Sequence, residues 1–404
     1  MSLAVPVKFN GQVTVSPPLG LYIHIPWCVK KCPYCDFNSH AVKDGIPEQA
    51  YIDALIRDLE QSVPSVWGRE VSSIFFGGGT PSLFSPEGID RLLVQCRTLL
   101  KVSPLVEVTL EANPGTFEAA RFRGYRDAGI NRLSLGIQSF NNDHLRALGR
   151  IHDASEAHQA AEQAMELFER VNLDLMYALP QQSLLQVEAD LATAIALHPQ
   201  HLSAYHLTLE PNTPFAATPP PLPEDDLAAD MQECVEATLA AAGYAHYETS
   251  AFALPGGPCR HNLNYWTFGD YLGIGAGAHG KLTFHDRIER QTRPKHPRAY
   301  MQSQTKMVSD PITEMGSDTI FSAYETRELS RADRVFEFMM NALRLNDGFA
   351  LDLFTTRTGL AVSALAPGLE LAEARGLIQR DLHHVRPTLQ GRRFLNELLQ
   401  LFLQ

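Results

Sequence analysis

The stretch YIHIPWCVKKCPYCDF, residues 22–37, decides the fold of this chain. It begins with an apolar run that predicts a strand, and it then places Cys28, Cys32 and Cys35 in the spacing CxxxCxxC on the loop that follows. Clustered thiols in a reducing compartment are typical metal ligands. An iron-sulfur cube takes four ligands, so three protein thiols leave one iron open to a substrate or cofactor. The spacing therefore favours a cluster with a chemical role.

A structural zinc ion is the alternative interpretation of the same cysteines. Zinc held by cysteines alone normally has two CxxC pairs as ligands, and the sequence lacks the second pair. His24 or His40 would have to supply the fourth ligand by chance geometry. This alternative describes a binding module with a structural metal and predicts a colourless protein.

Composition limits the class of protein. The chain has 404 residues, 45% of them hydrophobic, which is typical of a globular protein of about two domains. Its net charge of -12 argues against a nucleic-acid partner. Residues 1–20 lack the apolar run of a signal peptide, and no stretch reaches about 18 uninterrupted apolar residues. We therefore expect a soluble, cytoplasmic protein.

Short apolar runs alternate with segments of helical spacing along the first half of the chain. The runs that predict strands are 21–25, 73–76, 106–110, 132–137, 172–178 and 202–209. Repeated βα units imply a parallel sheet with its ligand site at the carboxyl ends of the strands. The sequence therefore predicts an α/β fold, a partial (β/α)6 barrel.

The second half of the chain departs from this pattern. Segment 211–226 is so rich in proline and acidic residues that we expect a linker or extended arm there, followed by a helix over 227–242. The composition turns polar over 302–318, and we place the boundary between domains 1–310 and 311–404 in that segment. The last part predicts helices over 333–345, 351–358, 368–374 and 392–402 and a strand over 385–389. This pattern predicts a small helical domain that resembles a winged helix.

The cysteine motif resembles the signature CxxxCxΦC of the radical SAM superfamily, with Tyr34 at the aromatic position. In that family the open iron of a [4Fe-4S] cluster is chelated by S-adenosyl-L-methionine. The resemblance therefore implies both cofactors, with Cys28, Cys32 and Cys35 as the metal ligands. The segment GGGTP, residues 77–81, is similar to the glycine motif of the family, which implies that Gly78, Gly79 and Thr80 contact the methionine moiety.

Further side chains resemble S-adenosylmethionine contacts in the anaerobic coproporphyrinogen III oxidase branch of this superfamily. They are Tyr22, Tyr34, Phe37, Glu111, Gln138, Arg150 and Asp174. In that branch a carboxylate at the position of Glu111 accepts hydrogen bonds from the ribose hydroxyls. Asp174 lies in an apolar run, where a carboxylate must be paired or functional. A purely structural role is the alternative for each of these residues.

Within the branch, two features separate this chain from the oxidase. The oxidase carries one more cysteine two residues after the third, where this sequence has Phe37, and it has a longer region ahead of its cluster. Both differences point to the family of HemW-type heme chaperones. The segment HNLNYW, residues 261–266, is similar to the HNxxYW motif of that family, which implies that His261, Asn262, Tyr265 and Trp266 contact heme. Packing of these aromatic side chains is the alternative.

The resemblance implies a chaperone that binds heme and delivers it to respiratory heme enzymes. Cys259 and His279 are the other candidate heme ligands. Peripheral membrane contact and a homodimer are further expectations, although no segment of the sequence marks either surface. The alternative function is that of an oxygen-independent coproporphyrinogen III oxidase. We assign no catalytic residue.

Overall fold

The structure is a computed structural model that describes residues 13, 15–43, 45–115, 120–306 and 324–403. The strands of the barrel region are β1 (Leu19–Ile25), β2 (Trp27–Cys28), β3 (His40–Ala41), β4 (Glu70–Gly78), β5 (Lys101–Ala112), β6 (Arg132–Gln138), β7 (Arg170–Tyr177), β8 (His201–His206), β9 (Ala245–Glu248), β10 (Ala251–Ala253), β11 (Asp270–Ile274), β12 (His279–Thr283), β13 (Ile288–Thr292) and β14 (Glu325–Glu328). Its helices are α1 (Glu48–Ser62), α2 (Pro86–Leu99), α3 (Phe122–Ala128), α4 (Asn142–Ala147), α5 (Ala154–Leu167), α6 (Leu184–Ala196), α7 (Pro214–Ala217), α8 (Asp225–Ala241), α9 (Arg260–Trp266) and α10 (Pro297–Lys306).

Twelve of these strands form one sheet in the order β14-β13-β12-β11-β1-β4-β5-β6-β7-β8-β10-β9, and β2 pairs separately with β3. The strands from β11 to β8 in this order are parallel, and the pairs at both ends are antiparallel. The predicted partial (β/α)6 barrel is therefore confirmed, with β1 and β4 to β8 as its six units. Strand β11 adds a seventh parallel strand beside β1, which the sequence pattern did not predict as part of the sheet.

Burial explains why these segments form strands and helices. Nearly every residue of β1 is buried, as expected for a parallel strand covered on both faces. Helix α5 begins with a capping box between Asp153 and Glu156, and its buried face consists of alanines, which let the helix pack closely on the sheet. The main hydrophobic core lies between the sheet and these helices.

The small C-terminal domain surrounds a second hydrophobic core. Its helices are α11 (Arg331–Ala342), α12 (Leu351–Thr358), α13 (Ala366–Ala374), α14 (Leu389–Arg393) and α15 (Leu395–Gln400), and its strands are β15 (Phe349–Ala350), β16 (Ile378–Arg380) and β17 (His384–Pro387). The three strands pair in the order β15-β17-β16. This helical domain with one β-ribbon matches the winged-helix-like prediction. The domain boundary predicted between residues 310 and 311 lies outside the described residues.

Three local expectations were wrong. The predicted strand over 385–389 ends at Pro387, because the Thr388 side chain caps a new helix by accepting a hydrogen bond from the amide of Gly391. The predicted last helix over 392–402 is instead divided into α14 and α15 at Phe394, whose backbone is not helical. The segment expected to be a linker contains the short helix α7, which Thr213 caps.

None of the helices in the described part of the chain is long and apolar enough to cross a membrane.

A buried ion pair joins helix α1 to the residue that directly follows strand β13. Arg293 donates to the carboxylate of Asp58 at 3.1 Å, and neither side chain has exposed surface. The same carboxylate accepts from the Tyr300 hydroxyl at 2.9 Å and from the amide of Gly275, directly after β11, at 3.3 Å. The pair therefore joins α1, α10 and the end of β11 at one point.

We predict that Arg293→Met lowers the free energy of unfolding by about 3 to 5 kcal/mol, because it leaves the Asp58 carboxylate buried without its cation. Denaturation by urea, followed by circular dichroism, measures this change. Arg91→Met is the matched control, since Arg91 pairs with Asp53 on the surface and the expected loss is about 0.5 kcal/mol or less. Equal effects of the two substitutions would contradict the prediction.

Candidate functional site

A cavity of about 630 Å³ opens at the carboxyl ends of the parallel strands. Apart from Cys259 and His279, every residue that the sequence analysis assigned to the cluster, to S-adenosylmethionine or to heme lines it. These residues are Tyr22, Cys28, Cys32, Tyr34, Cys35, Phe37, Gly78, Gly79, Thr80, Glu111, Gln138, Arg150, Asp174, His261, Asn262, Tyr265 and Trp266. The tertiary structure thus brings all of the predicted contacts into one space.

The three clustered thiols face this cavity at its mouth. Cys28 ends the short strand β2, and Cys32 accepts a hydrogen bond from Nη1 of Arg150 at 3.6 Å. Burial raises the pKa of the Cys28 and Cys35 thiols. Among the described residues, no three His, Cys, Asp or Glu side chains converge on one point as ligands of a single ion.

The glycine motif has no room for side chains. A Cβ on Gly78, whose φ is 117°, would lie 2.5 Å from the His24 ring, and a Cβ on Gly79 would lie 2.5 Å from the backbone oxygen of Trp27. The amide of Gly79 donates to the oxygen of Ile25 at 2.8 Å, and the amide of Thr80 donates to that of Trp27 at 2.7 Å. Because of these contacts the glycine loop lies directly against the cysteine loop. Such a close approach is possible only for residues without a side chain.

Two carboxylates lie deep in the cavity. Glu111 accepts a hydrogen bond from the amide of Gly78 at 3.2 Å, and burial together with the charge of Asp174 raises its pKa to about 8. Asp174 accepts from Asn172 at 2.8 Å and from Ser134 at 3.3 Å, and burial raises its pKa. Asp174 is therefore held by polar partners. Glu111 has acceptor capacity left for a ligand.

A chain of hydrogen bonds connects the cysteine loop to the glycine loop. Arg150 donates to the side chain of Asn113 at 2.6 Å, and Asn113 donates to the Thr80 hydroxyl at 3.0 Å. Arg150 also donates to the backbone oxygen of Gly136 at 2.8 Å. Asn113 was missed by the sequence analysis, although its position directly after strand β5 was a signal for it. Nearby, Gln138 adopts a φ of 69°, an uncommon conformation that turns the chain at the end of β6.

The HNLNYW segment forms helix α9, which closes one wall of the cavity. His261 is 1% exposed and stacks on the ring of Phe75 with 4.9 Å between centroids. Its Nδ1 lies 2.9 Å from the Ser73 hydroxyl and its Nε2 lies 2.9 Å from the Tyr265 hydroxyl. Burial lowers its pKa to about 3, so the ring is neutral. Both ring nitrogens are engaged in hydrogen bonds, and His261 must give up one of them to ligate iron.

Glu107 anchors this helix, and the sequence analysis missed it. Its carboxylate accepts from the amide of His261 at 3.0 Å and from that of Arg260 at 3.2 Å, and it pairs with Arg170 at 2.7 Å. A buried anion at a helix N-terminus also meets the helix dipole favourably. The signal was present in the sequence, because Glu107 interrupts an apolar strand in the same way as Asp174.

The two secondary heme-ligand candidates lie outside the lining of the cavity. Burial raises the pKa of the Cys259 thiol to about 11, and this thiol lies 3.6 Å from the Glu107 carboxylate. It therefore holds its proton. His279 is an exposed residue of strand β12, which lies beyond β11 in the sheet, and it does not line the cavity.

Comparisons with known proteins agree with this fold. The sequence model of the radical SAM superfamily matches residues 22–194, and that of the HemN C-terminal domain matches residues 329–394. The solved structure of coproporphyrinogen III oxidase (HemN) from Escherichia coli has a TM-score of 0.79 to this chain at 24% sequence identity, covering 96% of this chain and 91% of that one. The sheet and the cavity therefore define a radical SAM protein.

Sequence relatives show which family within the radical SAM superfamily this chain belongs to. The protein named heme chaperone HemW in Escherichia coli strain K12 is 49% identical, and the match covers 96% of this chain and 98% of that protein. The heme chaperone HemW of Bacillus subtilis strain 168 is 34% identical, over 95% of this chain and 98% of that protein. This chain belongs to the HemW heme chaperone family, and the resemblance inferred from the sequence is confirmed.

The lowered pKa of His261 generates a prediction about acid stability. Below pH 6.5 the unfolded chain protonates this histidine whereas the folded chain does not until about pH 3, so acid favours unfolding. We expect the stability of the wild type relative to His261→Gln to fall by about 1.4 kcal/mol per pH unit between pH 6.5 and about 4. Urea denaturation at several pH values measures this difference. A pH-independent difference between the two proteins would contradict the prediction.

Proposed function

We propose that this chain is a heme chaperone that carries a [4Fe-4S] cluster on Cys28, Cys32 and Cys35, with S-adenosyl-L-methionine at the open iron. One observation carries the proposal. A single cavity is lined both by the three thiols and by the helix with the HNLNYW motif. Heme binding is inferred from the family relationship, since the relatives are named heme chaperones.

The residues of the cavity fit the two cofactors. A bound cluster would supply electrons and an iron that S-adenosylmethionine can chelate. The Arg150 guanidinium, which donates to Cys32, offsets the negative charge of thiolates there. The glycine loop presents backbone groups without a Cβ, which lets a ligand approach closely. Glu111, when ionised, is an acceptor for ribose hydroxyls, and Tyr22, Tyr34, Phe37, Gln138 and Asp174 complete the proposed contact set.

The heme part of the proposal uses the other wall of the cavity. His261, Asn262, Tyr265 and Trp266 lie on the same short helix, which gives heme flat aromatic faces and polar edges. The proposed acceptors are respiratory heme enzymes. In this proposal the chaperone reaches them from the cytoplasm by peripheral contact with the membrane. The homodimer expected for the family is part of the same proposal.

Oxidative decarboxylation of coproporphyrinogen III is the second candidate function. The fold shared with HemN favours it. The side chain of Phe37, 60% exposed at the cavity, argues against it, because the oxidase family has a cysteine at this position.

The assignment of the metal ligands predicts the effect of removing one thiol from the [4Fe-4S] cluster. Cys32→Ser should abolish the visible absorption of the anaerobically reconstituted cluster and the binding of S-adenosylmethionine, because two thiolates cannot hold the cube with an open iron. Absorption spectra and equilibrium dialysis with labelled S-adenosylmethionine measure both. Cys234→Ser is the matched control, since Cys234 lies on helix α8 outside the cavity lining. Retention of both properties by Cys32→Ser would refute the assignment of the metal ligands.

A further prediction distinguishes the two candidate functions, heme chaperone and coproporphyrinogen III oxidase. Reconstituted protein with S-adenosylmethionine, a reductant and coproporphyrinogen III should form no protoporphyrinogen, while a parallel titration should show stoichiometric heme binding. The HemN oxidase under identical conditions is the positive control. Turnover of coproporphyrinogen by this chain would favour the second candidate, and protein with an intact cluster but neither property would leave only the superfamily assignment.

A further inference from the structure

The surface around the cysteine loop exposes several large apolar side chains. Val29, Phe37 and Ile151 each have half or more of their surface exposed. Val29 and Ile151 lie together, since both line a small cavity of about 20 Å³ that also reaches Cys32. Phe37 lines the barrel cavity. Exposed apolar side chains that cluster in this way mark a site of interaction with another molecule.

Lysines lie beside these apolar side chains. Lys30 and Lys31 are exposed residues of the cysteine loop, and Lys31 donates to the backbone oxygen of Phe37 at 3.0 Å. Lys295, which is also exposed, lies next to the loop because the Asn38 side chain donates to its backbone oxygen at 2.9 Å. Three positive charges therefore surround the place where the thiols reach the surface.

The charge of this surface is opposite to that of the whole chain. The chain has a net charge of -12 and eight lysines, so three lysines in one place are a local exception. Within residues 28–37, Asp36 is the single carboxylate. The two ion pairs that lysines form in the described part of the chain belong to Lys101 and Lys281. We call this surface the basic rim, and it consists of Val29, Lys30, Lys31, Phe37, Ile151 and Lys295.

We propose that the basic rim docks a small acidic protein that delivers single electrons to the cluster. Cys28, Cys32 and Cys35 are only partly buried, so a cluster bound there would lie next to this surface. One electron passes from the reduced carrier to the oxidised cluster, and no bond forms or breaks in this step. The inference deepens the proposed function and rests on it, because it assumes the cluster.

The basic rim suits such a carrier for two physical reasons. Complexes that transfer electrons are short-lived and have small interfaces, roughly below 1,200 Å², so a few apolar contacts are enough. Attraction between the lysines and an acidic partner accelerates the encounter over a long range. The negative charge of the rest of the chain repels the same partner, which restricts productive encounters to the rim.

An anionic lipid surface would have the same sign of charge as the carrier. The structure favours a protein partner, because residues 28–37 form a loop around the thiols and contain no helix. An amphipathic helix is the element with which many peripheral proteins enter the interface of a bilayer. Lipid binding is therefore a separate outcome of the experiment.

The test uses full-length protein with a reconstituted cluster, and reduced flavodoxin, an acidic flavin protein, as the probe. Lys31→Glu and Lys295→Glu each reverse one charge of the basic rim. Lys295 contacts the loop through its backbone oxygen, so Lys295→Glu keeps the test open if Lys31→Glu disturbs the loop. Lys101→Glu is the matched control, since Lys101 is an exposed lysine at the first residue of β5, at the end of the strand remote from the cavity.

Two properties are measured at low and at high salt. Biolayer interferometry gives the Kd for flavodoxin, both with the cluster and without it, because the lysines belong to the chain itself. Stopped-flow absorption gives the rate of cluster reduction. The methyl viologen radical, a small cation that needs no docking surface, is the reference reductant.

We expect each rim variant to bind flavodoxin about fivefold or more weakly at low salt and to accept its electrons more slowly by a similar factor. Lys101→Glu should resemble the wild type. High salt should bring the wild type close to the rim variants, because it screens the attraction between exposed charges. Reduction by methyl viologen should not become slower in any variant.

Other results would overturn the inference. If both rim variants behave like Lys101→Glu, or if methyl viologen reduces the wild type and flavodoxin does not, the basic rim is no docking surface for such a carrier, and the proposed function stands. Slower reduction by both reductants would show that the lysines act on the cluster itself.

Two further outcomes separate lipid binding and failure of the cluster. If the rim variants lose cosedimentation with phosphatidylglycerol vesicles but keep the wild-type affinity for flavodoxin, the rim faces a membrane, and the inference is wrong. If the wild type forms no cluster, the proposed function fails, and this inference fails with it.

Discussion

The parallel pairing of β1 with β4 determines the position of almost everything that follows. In this register Ile25 lies opposite Gly78, so the two strands end side by side and their loops must turn together. The amides of Gly79 and Thr80 donate to the backbone of the cysteine loop, and the His24 ring occupies the space that a side chain at Gly78 would take. The loop that carries the thiols is therefore held by its neighbour's backbone before any metal is present.

Buried charges then fix the elements around this pair. The ion pair of Asp58 with Arg293 joins α1 to the residue after β13. Glu107 accepts hydrogen bonds from the first two amides of α9. Each carboxylate is buried only because a cation and several donors meet it there. Hydrogen bonds hold the residues that line the cavity in the same way. Some partners also line the cavity, as Asn172 does for Asp174, and others lie outside the lining, as Ser73 does for His261.

The C-terminal domain is part of the same arrangement. Phe268 and Ile288 of the barrel region contribute to its hydrophobic core, and Arg290 of β13 pairs with Glu337 of α11 at 2.6 Å. Strand β14, although close to that domain in sequence, extends the large sheet. Because the two units share a core, Trp266 lines both the barrel cavity and a second cavity of about 500 Å³ beside helices α11 and α15.

The sequence by itself determined the six parallel strands and the helical tail, because apolar periodicity is a local pattern, and the spacing of the thiols marked a metal site. The other residues around the barrel cavity were implied by the resemblance to the radical SAM superfamily and to its HemW-type members. Tertiary structure alone decided that β11 joins the sheet, that HNLNYW is a helix, and that Asn113 and Glu107 belong to the site. It also decided that His261 is already hydrogen-bonded at both nitrogens and that Cys259 and His279 lie elsewhere. These features depend on contacts such as that of Glu107 with His261, more than a hundred residues apart. No local sequence pattern predicts these features, because the energy of a buried charge or hydrogen bond depends on partners that only the folded chain brings within reach.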